Sequence, residues 1–323
     1  MRKIFYNSLA TEEMYGLIRE VLPAGYDLVT LEADDDSERC QKIHECEVAI
    51  VAAKPISTEV VTAAEKLLLI HHQGVGYHDT VPVETLRERG IRLALTPVGT
   101  TTGVAEHAVL LTLAAAKRLS FADAELRQGR WHINSLRPVS VELHGKKVGY
   151  IGFGQIAQAV AALFKAFGTS GLYFDPYVTE AKERDAGLGV TKASLEKVLS
   201  NSDIITIHTP LTKETHHLIG DAQFALMKPT AILINTARGP VVAEQALVKA
   251  LQTGKILAAG IDVFESEPVS PENPLCTLEN VVLTPHISAG TIDALLGKMR
   301  ALFANVERFF QQGLLENEVN LQQ

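Results

Sequence analysis

The sequence predicts an α/β fold made of two doubly wound domains, in which helices cover both faces of mainly parallel sheets. Short apolar runs alternate with amphipathic helical stretches along the whole chain of 323 residues. A chain of this length is longer than a single domain usually is. Its hydrophobic content of 46% is enough to form two hydrophobic cores. We therefore expect two domains, each built on its own sheet.

The predicted strands fall into two sets. The first set ends near Thr96, and its helices should start near Thr11, Ser37 and Ser57. Its strands are predicted at Lys3–Tyr6, Asp27–Thr30, Val48–Val51 and Leu67–His71. The second set has predicted strands at Lys147–Ile151, Gly171–Phe174, Ile204–His208, Ala231–Asn235, Leu257–Ile261 and Val281–Thr284.

Two helical stretches set the predicted domain boundaries. Apolar residues cover almost the whole circumference of Thr102–Leu119, which predicts a buried linker helix between the two sets of strands. The periodic stretch Ile292–Phe310 should be a helix that returns to the first domain. The first domain would then comprise residues 1–99 and 291–323, and the second domain residues 100–290.

Composition excludes several classes of partner. A net charge of −8 without a basic cluster argues against nucleic acid, and no apolar run approaches the length of a membrane span. The three cysteines, Cys40, Cys46 and Cys276, form no C-x-x-C pair, so neither a disulfide framework nor a metal site is expected. The start of the chain lacks the pattern of a signal peptide. These features favour a cytoplasmic protein.

A glycine motif follows the first strand of the second set. Gly152 and Gly154 come directly after Lys147–Ile151, and apolar residues recur at helical spacing from Ile156 onwards. The first glycine permits a tight turn, and the second lets the main chain approach a pyrophosphate at a helix N-terminus. Ala157 occupies the third small position. The alternative is a glycine turn that only packs strand against helix.

Asp175 favours the nucleotide-binding interpretation. It lies 23 positions after Gly152, at the end of the next predicted strand. A carboxylate there can accept hydrogen bonds from a ribose diol and would repel the 2′-phosphate of NADP. Taken alone, an aspartate before proline is an ordinary turn residue. Together with the glycine motif it predicts a Rossmann domain that binds NAD.

Three further segments carry a family resemblance, each just after a predicted strand. They are Asn235-Thr236-Ala237-Arg238-Gly239-Pro240, the run from Gly260 to Pro268 and Leu283-Thr284-Pro285-His286. With Gly74-Val75-Gly76-Tyr77, Val104-Ala105-Glu106-His107 and His208-Thr209-Pro210-Leu211-Thr212, they resemble the D-isomer-specific 2-hydroxyacid dehydrogenases over nearly the whole chain. The resemblance implies a flavodoxin-like first domain that binds a small 2-keto or 2-hydroxy acid, together with the NAD-binding Rossmann domain.

Chemistry supports catalytic roles for Arg238, Glu267 and His286. A planar guanidinium can hold the carboxylate and the ketone of a 2-keto acid together. An imidazole is suited to donating and accepting a proton near neutral pH, and an adjacent carboxylate would fix its tautomer. Taken one at a time, these residues would be interpreted as a surface charge, a loop end and a core histidine.

The resemblance also assigns binding residues. The amides of Val75 and Gly76 should bind the substrate carboxylate, and Gln155 and Ile156 should contact the pyrophosphate. The nicotinamide side should be lined by Thr209, Thr236, Ala237 and Asp262. The family often continues Gly-Val-Gly-Tyr with Asp-Asn, whereas this chain has His78-Asp79, which leaves the substrate side chain open. Lys54 could reach an anionic substrate, although a solvated lysine is the simpler interpretation.

Two functions remain open at this stage. An enzyme would reduce a 2-keto acid with His286 as the proton donor, whereas an NADH-sensing corepressor of the same fold would bind the cofactor without turnover. The short stretch after the last predicted helix favours the enzyme. The resemblance further implies a homodimer formed through the nucleotide-binding domain, near Trp131.

Overall fold

The protein is described by a computed structural model that covers residues 1–52, 54–178 and 187–322. It divides into two units, one formed by Met1–Thr100 with Thr291–Gln323 and the other by Thr101–Gly290. Each unit has one parallel sheet with helices on both faces, so the predicted fold class is confirmed.

The first unit contains a five-stranded sheet in the order β2-β1-β3-β4-β5. Its strands are β1 (Arg2–Tyr6), β2 (Tyr26–Val29), β3 (Val48–Val51), β4 (Leu69–His72) and β5 (Arg92–Leu95). Its helices are α1 (Glu12–Glu20), α2 (Asp36–Ile43), α3 (Thr58–Ala63), α4 (Val83–Arg89) and the C-terminal α12 (Ile292–Gln312). Helices α1 and α12 pack on one face of the sheet, and α2, α3 and α4 pack on the other.

Local sequence signals explain where the first helices begin. The side chains of Thr11, Asp35 and Ser57 each accept a hydrogen bond from an amide three residues later, at the N-terminus of α1, α2 and α3. The strands consist largely of β-branched and other apolar residues because the sheet is covered on both faces.

The second unit contains a seven-stranded parallel sheet in the order β12-β11-β10-β9-β6-β7-β8. Its strands are β6 (Lys147–Ile151), β7 (Ser170–Phe174), β8 (Val190–Lys192), β9 (Ile204–Ile207), β10 (Ile232–Asn235), β11 (Ala258–Ile261) and β12 (Val281–Leu283). Its helices are α5 (Thr100–Ala116), α6 (Leu119–Arg127), α7 (Ile133–Leu136), α8 (Gln155–Ala166), α9 (Leu195–Asn201), α10 (Asp221–Leu226) and α11 (Glu244–Gln252). The strand order reverses between β6 and β9, where open α/β sheets bind ligands.

Helix α5 packs closely on the sheet of the second unit. A Cβ on Gly260 of β11 would lie 2.8 Å from the Leu111 Cβ, so glycine allows this close approach. The expectation that α5 is buried on nearly every side is wrong for one face, because Leu110 is 52% exposed. Among the described residues, no helix is both long and apolar enough to cross a membrane.

Candidate active site

A glycine turn joins β6 to α8 at the point where the strand order reverses. Gly152 has a φ of +82°, and a Cβ there would lie 2.6 Å from the His208 carbonyl oxygen, so only glycine fits. Gly154 precedes α8 without making a side-chain cap, and apart from its chain neighbours no atom of the described residues lies within 4 Å of the position that its Cβ would take. A pyrophosphate can therefore approach Gly154 and the first α8 amides, those of Gln155 and Ile156.

Asp175 lies at the end of β7, beside this turn. Its Oδ2 accepts a hydrogen bond from the Phe153 amide at 2.8 Å, and its Oδ1 accepts one from the Tyr177 amide at 2.8 Å. A carboxylate oxygen can accept more than one hydrogen bond. Asp175 thus fixes the glycine turn and retains the capacity to accept a hydrogen bond from a ribose hydroxyl.

The other predicted cofactor residues follow β9 and β10. The Thr209 amide lies 3.1 Å from the Cβ position of Gly152, so it borders the glycine turn. The Ala237 amide donates to Asn235 Oδ1 at 3.0 Å. Thr236 Oγ1 is buried without a hydrogen-bond partner among the described residues. Since buried hydroxyl groups normally find partners, Thr236 offers a polar contact to a bound nucleotide.

Arg238 is held at the carboxyl end of β10 by its neighbours. The Asn235 side chain, which is 1% exposed, donates to the Arg238 carbonyl oxygen at 3.0 Å. Gly239 packs against the loop after β11, where a Cβ would overlap the Phe264 carbonyl and lie 2.6 Å from the Glu265 amide nitrogen. The missing side chain of Gly239 therefore lets the arginine turn and the Glu267 loop lie in direct contact.

Glu267 and His286 form a hydrogen-bonded pair at the carboxyl ends of β11 and β12. Glu267 Oε2 lies 2.7 Å from His286 Nδ1, and Glu267 Oε1 accepts the Phe264 amide at 3.0 Å. A carboxylate at Nδ1 leaves the other ring nitrogen, Nε2, to face a reactant. Both side chains are accessible, with 28% of His286 and 36% of Glu267 exposed.

Opposing effects set the charge of Glu267. Burial raises the pKa of its carboxyl group, but hydrogen bonds from His286 and the Phe264 amide and the positive charge of Arg238 together hold that pKa below its usual value. Glu267 therefore remains ionised at neutral pH and can hold the imidazole. The positive charge of Arg238 thus acts on the carboxylate that holds His286.

Asp262 fixes the main chain on both sides of His286. Its Oδ1 accepts the Ile287 amide at 2.9 Å and the Thr284 hydroxyl at 2.6 Å, and its Oδ2 accepts the Ser288 amide at 2.9 Å. Burial raises the pKa of Asp262, but these hydrogen bonds, with one from His107, lower it below its usual value. The left-handed conformation of His286, at a φ of 54°, is thus held by a buried carboxylate.

Sequence reasoning missed this support for His286. Asp262 stays a predicted residue of the nicotinamide side, and the structure adds that its buried side chain, which is 0% exposed, supports the His286 loop. His107 Nε2 lies 2.9 Å from Thr284 Oγ1 and extends the network to α5. The Val104–His107 segment noted for its resemblance was the available signal.

The predicted carboxylate-binding loop lies in the first unit, directly after β4. His72 Nδ1 accepts the Gly74 amide at 3.0 Å, so its Nε2 must carry the proton that it donates to Thr80 Oγ1, also at 3.0 Å. Thr80 Oγ1 in turn lies 3.4 Å from the Gly76 carbonyl oxygen. One buried imidazole therefore connects the two ends of the loop that contains Val75.

The second unit has the fold and the polar groups of an NAD-dependent dehydrogenase. Its glycine turn leads into an uncapped helix at the point of strand reversal, and an arginine and a Glu–His pair follow three adjacent strands. Residues 109–288 match the family described as D-isomer specific 2-hydroxyacid dehydrogenase, NAD binding domain. The chain belongs to the D-isomer-specific 2-hydroxyacid dehydrogenases and is an NAD-dependent oxidoreductase.

Individual relatives agree with this assignment. The chain is 39% identical over 283 residues to a glyoxylate reductase of Korarchaeum cryptofilum, covering 87% of this chain and 84% of that one. It is 39% identical over 285 residues to a D-3-phosphoglycerate dehydrogenase of Archaeoglobus fulgidus, covering 88% of this chain but only 53% of that relative. The apo-structure of D-lactate dehydrogenase from Escherichia coli matches with a TM-score of 0.85 at 27% identity, covering 99% and 100% of the two chains.

Proposed function

We propose that this protein is a reductase of small 2-keto acids, forming D-2-hydroxy acids with NADH. The observation that carries the proposal is the Glu267–His286 pair at 2.7 Å, which is held by buried Asp262 and feels the positive charge of Arg238. An ionised carboxylate orients the imidazole, so that Nε2 can deliver a proton to a carbonyl oxygen. The guanidinium of Arg238 supplies the positive charge that polarises this carbonyl.

Each residue that we place in the site has a defined task in this reaction. NADH, when bound, supplies the hydride that reduces the substrate carbon. Arg238 binds and polarises the 2-keto acid, and the amides of Val75 and Gly76 bind its carboxylate. His286 gives its Nε2 proton to the carbonyl oxygen, and Glu267 stabilises the imidazolium before that transfer and fixes the ring.

The proposal is tested by supplying NADH with a panel of 2-keto acids, including glyoxylate, hydroxypyruvate, pyruvate, 2-ketobutyrate and oxaloacetate. Oxidation of NADH is followed by its absorbance. Rapid turnover of at least one acid supports the enzyme. Tight NADH binding without turnover of any acid would contradict it and favour the NADH-sensing corepressor.

Asp175 should set the preference for NAD over NADP. Replacing it by alanine removes the charge that repels a 2′-phosphate, so we expect the ratio of NADH to NADPH efficiency to fall by about 10-fold or more. Asp175→Asn keeps an acceptor for the Phe153 amide, which makes it the matched control for damage to the turn. Unchanged ratios of kcat/KM in both variants would contradict a ribose contact.

We also propose that the chain forms a homodimer through α6 and α7. Neither helix contains a buried residue, and Leu119, Leu126, Trp131 and Ile133 are between 53% and 75% exposed. Exposed apolar groups of this kind suit a subunit interface. Sedimentation velocity should show a dimer, and Trp131→Glu with Leu126→Glu should yield monomers. A wild-type monomer at micromolar concentration would contradict the proposal.

A cytoplasmic location completes the proposal. Cys40, Cys46 and Cys276 are all free, a state that a reducing compartment maintains. Fractionation of cells tests this location.

A further inference from the structure

Lys298 is a buried cation whose charge is not balanced within the described part of the chain. It lies on α12 and is 7% exposed. Across residues 1–52, 54–178 and 187–322, no hydrogen bond or ion pair reaches its ammonium group. Burial lowers the pKa of Lys298 below its usual value. Because lysine is almost never buried without a partner, this position is costly to stability unless a ligand compensates the charge.

Contacts along α12 show which end of the first sheet Lys298 occupies. Arg92, at the start of β5, lies over the Phe309 ring at 5.2 Å, and Asn305 Nδ2 lies 3.0 Å from His71 Nε2 in the middle of β4. The C-terminal end of α12 therefore lies at the amino ends of the strands. Its N-terminal half, which contains Lys298, lies towards their carboxyl ends.

The position of Lys298 on α12 can be compared with that of the Gly74–Gly76 loop after β4 by counting residues from the Asn305–His71 contact. Lys298 precedes Asn305 by two helical turns, or about 10 Å along the helix axis. On β4, the chain travels about 10 Å from His71 to Gly74 in the same direction. Lys298 thus reaches the level of the Gly74–Gly76 loop, the proposed site for the substrate carboxylate.

A second contact joins Lys298 to this edge of the sheet. A Cβ on Gly99 would lie 3.2 Å from Lys298 Cγ, and Gly99 follows Thr96, whose amide donates to the Gly74 carbonyl oxygen at 3.2 Å. Thr100 comes next, and its Oγ1 is buried without a partner among the described residues. A buried hydroxyl without a partner and an ammonium without an ion-pair partner among the described residues therefore lie on segments that contact each other.

We propose that Lys298 is a specificity-determining residue that binds a second anionic group, carboxylate or phosphate, at the far end of the 2-keto acid. The inference rests on the proposed function, because it takes the Gly74–Gly76 loop to hold the first carboxylate. The Thr100 hydroxyl donates a further hydrogen bond to the second anion. Lys54 does not match this role, since its side chain is 42% exposed and its ammonium is paired with Asp34 at 3.3 Å.

Matched substrate pairs test this assignment. Oxaloacetate is compared with 2-ketobutyrate, 2-oxoglutarate with 2-oxopentanoate, and 3-phosphohydroxypyruvate with hydroxypyruvate, so that each pair differs in a terminal anion. The member that carries the terminal anion is called the anionic member here, and the member without it the neutral member. The wild type should prefer the anionic member of at least one pair. The pair that shows the preference distinguishes a carboxylate from a phosphate.

Lys298→Met fills the same space without the charge. We expect it to lower kcat/KM for the preferred anionic acid by about 10- to 100-fold, mainly through KM, while the neutral partner is unaffected. Arg300→Met, which removes an exposed cation from the same helix, is the matched control and should leave the pair ratio unchanged. An equal loss on both members of the pair, or a wild-type preference for the neutral member of every pair, would overturn the assignment.

A binding measurement separates this inference from the proposed function. Calorimetry with NADH-saturated protein should show that the 2-hydroxy form of the preferred anionic acid, which NADH cannot reduce, binds more weakly to Lys298→Met than to the wild type. Absence of turnover with retained, Lys298-dependent binding would refute the reductase and leave the anion site standing. Turnover with identical binding by the wild type and Lys298→Met would refute the anion site alone.

Discussion

Replacing His286 by alanine should lower kcat for 2-keto acid reduction by about 10²- to 10⁴-fold and leave NADH affinity nearly unchanged. The loss follows from removal of the Nε2 proton, because the methyl side chain of alanine has no group that can donate it. The rate is measured by NADH oxidation at saturating keto acid, and NADH affinity by fluorescence titration.

Backbone effects need a separate variant, because His286 has a left-handed conformation with a φ of 54°. Asparagine tolerates this conformation better than alanine, so His286→Asn keeps the loop while removing the acid. His216→Ala, at an exposed histidine of the same unit, is the control and should keep full activity. Undiminished kcat in both His286 variants would show that another group delivers the proton.

Much of the fold could be predicted because its signals are local. Buried parallel strands consist of continuous apolar runs, which located Val48–Val51 and the strand before Gly152. The short elements α4, β5 and β8 were not identified. β8 is a three-residue edge strand with no buried residue, so it lacks the apolar run that marks a strand.

In the candidate site, some residues could be predicted from short segments of sequence, whereas others depend on contacts between distant positions. The glycine turn and the residues after β10, β11 and β12 are short segments that the sequence displays directly. The support for His286 depends on contacts between distant positions, such as His107 with Thr284 across 177 residues. Lys298 gave no signal because a lysine in an amphipathic helix is ordinarily solvated, and only the packing of α12 shows that it is buried.

Arg238→Gln should lower kcat/KM for 2-keto acids by about 10²- to 10³-fold, the usual effect of removing a group that stabilises charge developing on oxygen. Arg238→Lys should also lose most of this efficiency, because an ammonium lacks the planar pair of donors. Lys249→Gln, at a side chain of the same unit that is 69% exposed, is the control. Wild-type efficiency in Arg238→Lys would show that a point charge alone is enough.

The pH profile gives an independent measure of what Arg238 does. Burial raises the pKa of Glu267, while the hydrogen bonds from His286 and Phe264 and the charge of Arg238 lower it. Without that positive charge the pKa of Glu267 rises, so the carboxylate becomes protonated at a higher pH. Since only the ionised carboxylate holds the imidazole, the acidic limb of the pH–kcat profile should move to higher pH in Arg238→Gln. If the acidic limb of Arg238→Gln does not shift although its kcat/KM is lowered, Arg238 acts only by binding the substrate.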